Sequence, residues 1–210
     1  LVSKTYTDGT PAASFVYDQG ATDQKGQLTS ALSGPFTLSW TYDLASQVKT
    51  ATRNKGVSTQ TVSYEYDDAG NRETLRLNGQ LLAEYDWDER NLLETLIRKA
   101  SPDRTYTYSY DAAGRRKTLA FPNAVTTTYG YDNRSRLSSL SAATPSASIA
   151  QFTYPLHDPL GNRLARGGVT APAETYGYDE LYRLLTVMRT QPSDGHDYDS
   201  VGCRLSSLTV

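Results

Sequence analysis

Apolar and polar positions alternate along this chain with a period of two, and the pattern keeps returning. In the run "TYTYSYD", Tyr106, Tyr108 and Tyr110 are separated by Thr and Ser, which predicts a strand presenting one aromatic face. Tyr and Thr both suit a pleated, half-buried surface. No stretch carries the three-to-four spacing of an amphipathic helix. Each alternating run ends in a turn signal. In "DAAG", Asp111 holds the first turn position and Gly114 the fourth, as a type I turn prefers. Asp67 to Gly70 and Asp199 to Gly202 repeat the arrangement. Asp158 to Gly161 adds Pro159 at the second position, where its fixed φ suits the turn. A glycine there can take positive φ and lead through a bulge into a return strand.

The unit of strand, turn and return strand is repeated along the chain. An aromatic residue, one spacer and an aromatic-Asp pair occur at Phe15/Tyr17-Asp18, Trp40/Tyr42-Asp43, Tyr64/Tyr66-Asp67 and Tyr85/Trp87-Asp88. The series continues at Tyr108/Tyr110-Asp111, Tyr129/Tyr131-Asp132 and Tyr176/Tyr178-Asp179, and closes at His196/Tyr198-Asp199. Between Asp132 and Tyr178 one unit is bent: His157-Asp158 fills the pair position and Tyr154 stands one residue out of register. Successive pairs lie 20 to 26 residues apart, a spacing that means a repeat architecture. Second turns fall between the pairs: "NG" at Asn78-Gly79, the strongest short hairpin signal, then Arg53 to Gly56, Ser101 to Arg104, Phe121 to Ala124, Arg166 to Gly168 and Pro192 to Gly195. The predicted fold is all-β: tandem hairpins forming a continuous antiparallel sheet over residues 1–210, in nine units of which the first is degenerate.

The fifth position after each Asp shows a longer period. It holds Arg72, Arg116, Arg163 and Arg204 in every second unit, and Val48, Leu93, Leu137 and Leu184 in the units between. Alternate hairpins are therefore expected to meet different surroundings. The arginines are expected to reach the Asp of their own or a neighbouring unit.

Composition narrows the function. A net charge of −2 carries no electrostatic footprint for nucleic acid. The single Cys203 excludes an internal disulfide framework, and no apolar run reaches membrane-span length. The sequence opens on Leu1, without a signal peptide, and stops in "SSLTV" while the repeats are still running; both ends predict a fragment of a longer chain. Few Lys and many Ser, Thr and Tyr fit a secreted or cell-surface protein.

Units reading "YDDAGNRETL" (from Tyr66) and "YDNRSRL" (from Tyr131) resemble the YD repeats of the RHS family. Similar repeats occur in Tc toxin B and C components, bacterial polymorphic toxins and teneurins. The resemblance covers residues 40–210, with a degenerate unit at 15–28. It implies a strip of hairpins spiralling into a hollow shell. In bacterial members that shell encloses a C-terminal toxic polypeptide, and in teneurins it supports an adhesion module. The family's core, which can cut itself beside a DPxG-type motif, should lie beyond the repeats. "DPLG" from Asp158 to Gly161 fits that short pattern, but it occupies the turn slot of a repeat, where turn chemistry accounts for every residue.

Candidate chemistry is sparse. His157 and His196 both fill aromatic slots. "DGHDYD" (Asp194 to Asp199) gathers three carboxylates and a His without the spacing of a calcium loop. Asn133 to Ser135 is a glycosylation sequon at a turn, and Cys203 lacks a catalytic constellation. No metal site, cofactor site or catalytic residue is expected. Tyr and Trp allow two readings: cross-strand ladders, or a platform for a glycan, with Trp40 and Trp87 as its first members. Three functions follow. The first is a non-catalytic shell segment whose partners are neighbouring shell repeats or a C-terminal effector of the same chain. The second is a cell-surface module recognising carbohydrate or a protein receptor, and the third, least supported, is an enzyme. Open sheet edges also predict self-association or placement within a larger particle.

Overall fold

The computed structural model describes residues 2–18, 26–169, 172–189 and 194–209. Among them it contains nineteen strands and no helix, so no helix is long and apolar enough to cross a membrane. The chain divides into two compact units, Leu1–Tyr106 and Thr107–Val210. The first holds β1 (Ser3–Lys4), β2 (Ala13–Tyr17), β3 (Leu28–Ser33), β4 (Phe36–Tyr42), β5 (Val48–Lys55), β6 (Ser58–Tyr66), β7 (Arg72–Leu77), β8 (Gln80–Trp87) and β9 (Leu93–Arg98). Strand β10 (Arg104–Tyr110) spans the boundary. The second unit continues with β11 (Arg116–Ala120), β12 (Thr126–Tyr131), β13 (Leu137–Ala143), β14 (Ser148–Thr153) and β15 (Ala165–Gly168). It ends with β16 (Glu174–Tyr178), β17 (Leu184–Met188), β18 (Asp194–Tyr198) and β19 (Arg204–Thr209). Within each unit every strand pairs antiparallel with the strands before and after it. This is the all-β tandem-hairpin fold that the alternation predicts.

Register sorts the side chains onto two faces, because cross-strand partners share a face and neighbours along a strand do not. In the first unit one such row runs Trp40, Ala51, Val62, Leu77. The next pairs Tyr64 with Leu75 and Leu75 with Ala83. In the second, Tyr129, Leu140 and Phe152 align. The opposite face is a ladder of hydroxyls: Thr41 bonds Thr50 at 2.6 Å, Thr52 bonds Thr61 at 3.0 Å and Ser109 bonds Thr118 at 2.6 Å. No large side chain among the described residues is fully buried. Within each unit the apolar side chains are mostly half-buried by their neighbours in the sheet.

The between-unit turns follow the sequence unevenly. Asn78 and Gly79 both take positive φ (49° and 81°) between the paired residues Leu77 and Gln80, a two-residue type I′ loop. In the run from Arg53 to Gly56 the turn slips to Gly56-Val57, because Lys55 is still paired, with Ser58. Phe121 to Val125 closes as the Asp turns do, with Phe121 N–H donating to Val125 O at 2.8 Å. Arg166 to Gly168, expected as a turn, lies in β15, where Arg166 pairs with Glu174 and Gly168 with Phe152. Small residues there accommodate close backbone approach: a β-carbon on Gly168 would collide with the Gln151 carbonyl oxygen. Pro192 and Ser193 lie outside the described residues, and Asp194-Gly195 begins β18.

Candidate functional site

The recurring pair builds one local device, the turn after each aromatic-Asp. At Asp111 the carboxylate Oδ1 accepts the backbone N–H of Ala113 and of Arg115, both at 2.9 Å, and Oδ2 accepts Arg115 Nε at 2.7 Å. Gly114 N–H donates to Asp111 O at 3.0 Å, closing the turn. Equivalent Oδ1 bonds to the residue four places on hold Asp43, Asp67, Asp88, Asp132, Asp158, Asp179 and Asp199 at 2.7–2.9 Å. The Asn71 side chain leads the groups that hold the Asp67 carboxyl below its ordinary value, the Leu92 N–H does so for Asp88, and the Arg115 side chain for Asp111.

At each of the eight turns from Asp43 to Asp199 the fourth position has positive φ, whatever its side chain. Gly70, Gly114, Gly161 and Gly202 have φ of 86°, 76°, 97° and 90°, and Ser46, Asn91, Ser135 and Tyr182 have 66°, 58°, 62° and 62°. Tyr182 sits in the same turn as the others, its N–H donating to Asp179 O at 3.0 Å. The return strand then bulges: Tyr66 pairs with Arg72 but Glu65 with Thr74, leaving Glu73 extra. The same shift follows Tyr42, Trp87, Tyr110, Tyr131, Tyr178 and Tyr198.

The aromatic of the pair ties its unit to the preceding one. Tyr42 OH donates to Leu28 O at 2.7 Å, and Tyr66 OH to Val48 O at 2.9 Å. Trp87 Nε1 donates to Arg72 O at 2.9 Å. In the second unit Tyr131 OH bonds Arg116 O, Tyr178 OH bonds Arg163 O and Tyr198 OH bonds Leu184 O, at 2.8–2.9 Å. From Val48 onward, the acceptor is the carbonyl of the fifth residue after the previous Asp, so the bulge aims that oxygen at the next ring. His157 fills the same slot with an isolated bridge to Arg163. A second tether joins turn to turn. Gln47 Nε2 donates to Gly70 O, Asn71 Nδ2 to Asn91 Oδ1, Arg115 NH1 to Ser135 Oγ and Arg183 NH1 to Asp199 O, at 2.8–3.2 Å.

The arginines expected to reach the Asp residues instead lie on aromatic rings. The Arg72 guanidinium is 4.5 Å from the Tyr64 ring centre, Arg116 is 5.3 Å from Tyr108, and Arg163 is 3.9 Å from Tyr154. The bulge explains the difference. It places the fifth residue across from the aromatic of the pair and on the aromatic face, while the fourth residue points along the rim to the carboxylate. Arg204 likewise pairs with Tyr198. Trp87, a member of the expected ligand platform, has its indole N–H committed to the latch. Trp40 lines an open hollow of 230 Å³ with Ala51, Val62 and Leu77.

A polar cluster that sequence reasoning missed interrupts the aromatic face of the second unit. Glu174 is 6% exposed. Its Oε1 pairs with Arg166 NH2 at 2.9 Å and Arg189 Nε at 2.7 Å, and its Oε2 accepts Tyr176 OH at 2.6 Å. Arg189 also pairs with Asp194 at 2.9 Å. Burial pushes the Glu174 carboxyl up, but the Tyr176 and Arg189 bonds and the two guanidinium charges outweigh it and hold the carboxyl low. Burial, with the Glu174 bond, pushes Tyr176 up to about 12. Only a register map puts these residues together, so no local motif announced them. His196 lies on β18, Cys203 is exposed at the fourth place after Asp199, and no three His, Cys, Asp or Glu side chains converge as a metal site among the described residues.

No family profile and no curated protein matches the sequence. Solved structures do. The crystal structure of TcdB2-TccC3-Cdc42 superposes on 99% of this chain with a TM-score of 0.81 at 14% identity. A Photorhabdus luminescens Tc holotoxin pore structure does so on 99% at 0.78 and 14% identity, and TcdB2-TccC3 on 94% at 0.77 and 14% identity. The chain spans 13% of the length of each of these chains. Its fold is that of the RHS-type YD repeat from which the TcdB2-TccC3 shell is built.

Proposed function

We propose that this chain is a segment of a structural, non-catalytic shell of the RHS type, which encloses or presents a polypeptide belonging to the same longer protein. The observation that carries this reading is the repeated latch. Every described latch joins a unit to its predecessor through backbone acceptors, which any number of units can supply, and leaves one apolar face without a covering layer. That design suits area rather than a pocket. The fold match to Tc toxin chains over nearly the whole segment supports the same reading. The rim carboxylates are all engaged in turns, Asp158 of the "DPLG" run included, since it holds Leu160, Asn162 and the Asn162 side chain. A bacterial, secreted or cell-surface setting goes with the proposal. Recognition of a glycan is not favoured by any contact, and Trp87 is occupied by its latch.

Limited proteolysis of the native full-length gene product, followed by mass spectrometry of what stays associated, tests the proposal. A protected, non-repetitive polypeptide co-purifying with the nicked repeats is the expected result. Repeats that retain no protected polypeptide would overturn it.

A further inference from the structure

The two faces of the sheet differ in charge as well as polarity. In the first unit Arg53 pairs with Leu38, Lys55 with Phe36, Arg72 with Tyr66 and Arg98 with Ala83, all on the aromatic face. Among the described strand residues of that unit, no Asp or Glu paired in the ladder shares this face, and Glu73 and Glu94 are the extra residues of bulges. Glu65, Glu84 and Asp86 alternate onto the Ser/Thr face, where Thr74 pairs with Glu65 and with Glu84. The chain as a whole is slightly acidic, at −2, so the excess of positive charge is a property of this face alone. Arg53, Lys55, Arg72 and Arg98 are all exposed.

The geometry of these cations matters more than their number. The Arg72 guanidinium lies over the Tyr64 ring at 4.5 Å and the Lys55 ammonium over the Phe36 ring at 5.2 Å. A stacked guanidinium is held at low entropic cost, and its edge keeps the planar fork of N–H donors that matches a carboxylate. Between the cations run Trp40, Ala51, Val62 and Leu77 in one cross-strand row. Fixed donors are thus interleaved with apolar rows at the spacing of antiparallel strands.

We infer that the aromatic face of the first unit receives a polypeptide segment in which acidic side chains alternate with apolar ones, its carboxylates bound by the edges of Arg53, Arg72 and Arg98. This rests on the enclosure reading and adds the chemistry of the enclosed partner. A phosphate polymer fits less well, because it offers nothing to the Val62–Leu77 row and would meet the acidic rim of the same sheet.

The test titrates fluorescently labelled short peptides into this 210-residue chain at low ionic strength, reading anisotropy and the quenching of Trp40 and Trp87. The set contains alternating Glu-Leu, alternating Lys-Leu and alternating Glu-Ser peptides, with oligothymidylate as the polyphosphate. Glu-Leu is expected to bind about tenfold or more tighter than each of the others, and to weaken with added salt. The combined Arg53→Gln, Arg72→Gln and Arg98→Gln variant is expected to lose about tenfold in affinity at unchanged circular dichroism. Arg76→Gln, on the Ser/Thr face, leaves binding as it was. Equal binding of Lys-Leu, tighter binding of oligothymidylate, or full affinity in the triple variant overturns the inference. The peptide comparison needs only the unaltered protein, so a variant that fails to fold does not rescue the idea. A cargo that co-purifies with the repeats while the chain shows no acidic preference would sink this inference and leave enclosure standing.

Discussion

Ser46, Asn91, Ser135 and Tyr182 hold left-handed backbone at the fourth turn position, where every second unit uses glycine. A β-carbon in that conformation costs about 1–2 kcal/mol, and the Asp carboxylate bonds outweigh it. Tyr182→Gly is therefore expected to raise stability by up to about 1 kcal/mol, and Gly114→Ala to lower it by about as much; urea midpoints check both. The same carboxylates make the protein acid-sensitive. Asp67, Asp88 and Asp111 titrate below their ordinary 3.8 in the folded chain. Such groups bind fewer protons folded than unfolded, so their stabilisation is complete above the unfolded pKa and disappears as pH falls through the folded one. Stability is expected to be level from neutral pH down to about 4 and to drop below it, with a shallower drop in Asp67→Asn plus Asp111→Asn, as a pH series of urea melts would show. These turns were legible from the chain because Asp, Gly and their separation are local chemistry. The role of the residue after the fourth turn position was there to be read in Asn71 and Arg115, but it needed the rim geometry to separate it from the arginine that follows.

Beyond the strand ladder and the turn-to-turn tether, a directed bond from its aromatic fastens a hairpin to its predecessor. Tyr66→Phe is expected to cost about 1 kcal/mol by stranding the Val48 carbonyl. Tyr64→Phe, whose ring supports Arg72 rather than a latch, is expected to be nearly neutral. A difference in urea midpoint between the two separates latch from ladder. Glu174 is the other element-scale anchor. Glu174→Ala leaves Arg166 and Arg189 without their shared carboxylate and is expected to cost about 2–3 kcal/mol, less than a fully buried pair because both arginines reach solvent. Period-two patterning foretold the strands themselves. It did not foretell the latch, whose acceptor is a main-chain oxygen with no side-chain signature, nor the placement of Arg166 in a strand, where the glycine pair looked like a turn and serves close packing instead.

At the scale of the molecule, the absence of any fully buried large side chain among the described residues means that stability accumulates hairpin by hairpin. Native-state hydrogen exchange is expected to show graded protection along each unit rather than one global opening; uniform protection across all strands would contradict this. Aromatic-Asp phasing was enough to predict a repeat array, whereas the charge of the aromatic face emerged only from register, because Arg53 reads as part of a turn and Arg98 belongs to no motif. The latch also has a direction in time. Each donor lies 14 to 18 residues after its acceptor. A ribosome delivers residues in that order, so when a new ring emerges, the oxygen it seeks is already laid down. The sheet can be raised course by course, as a wall is, during translation.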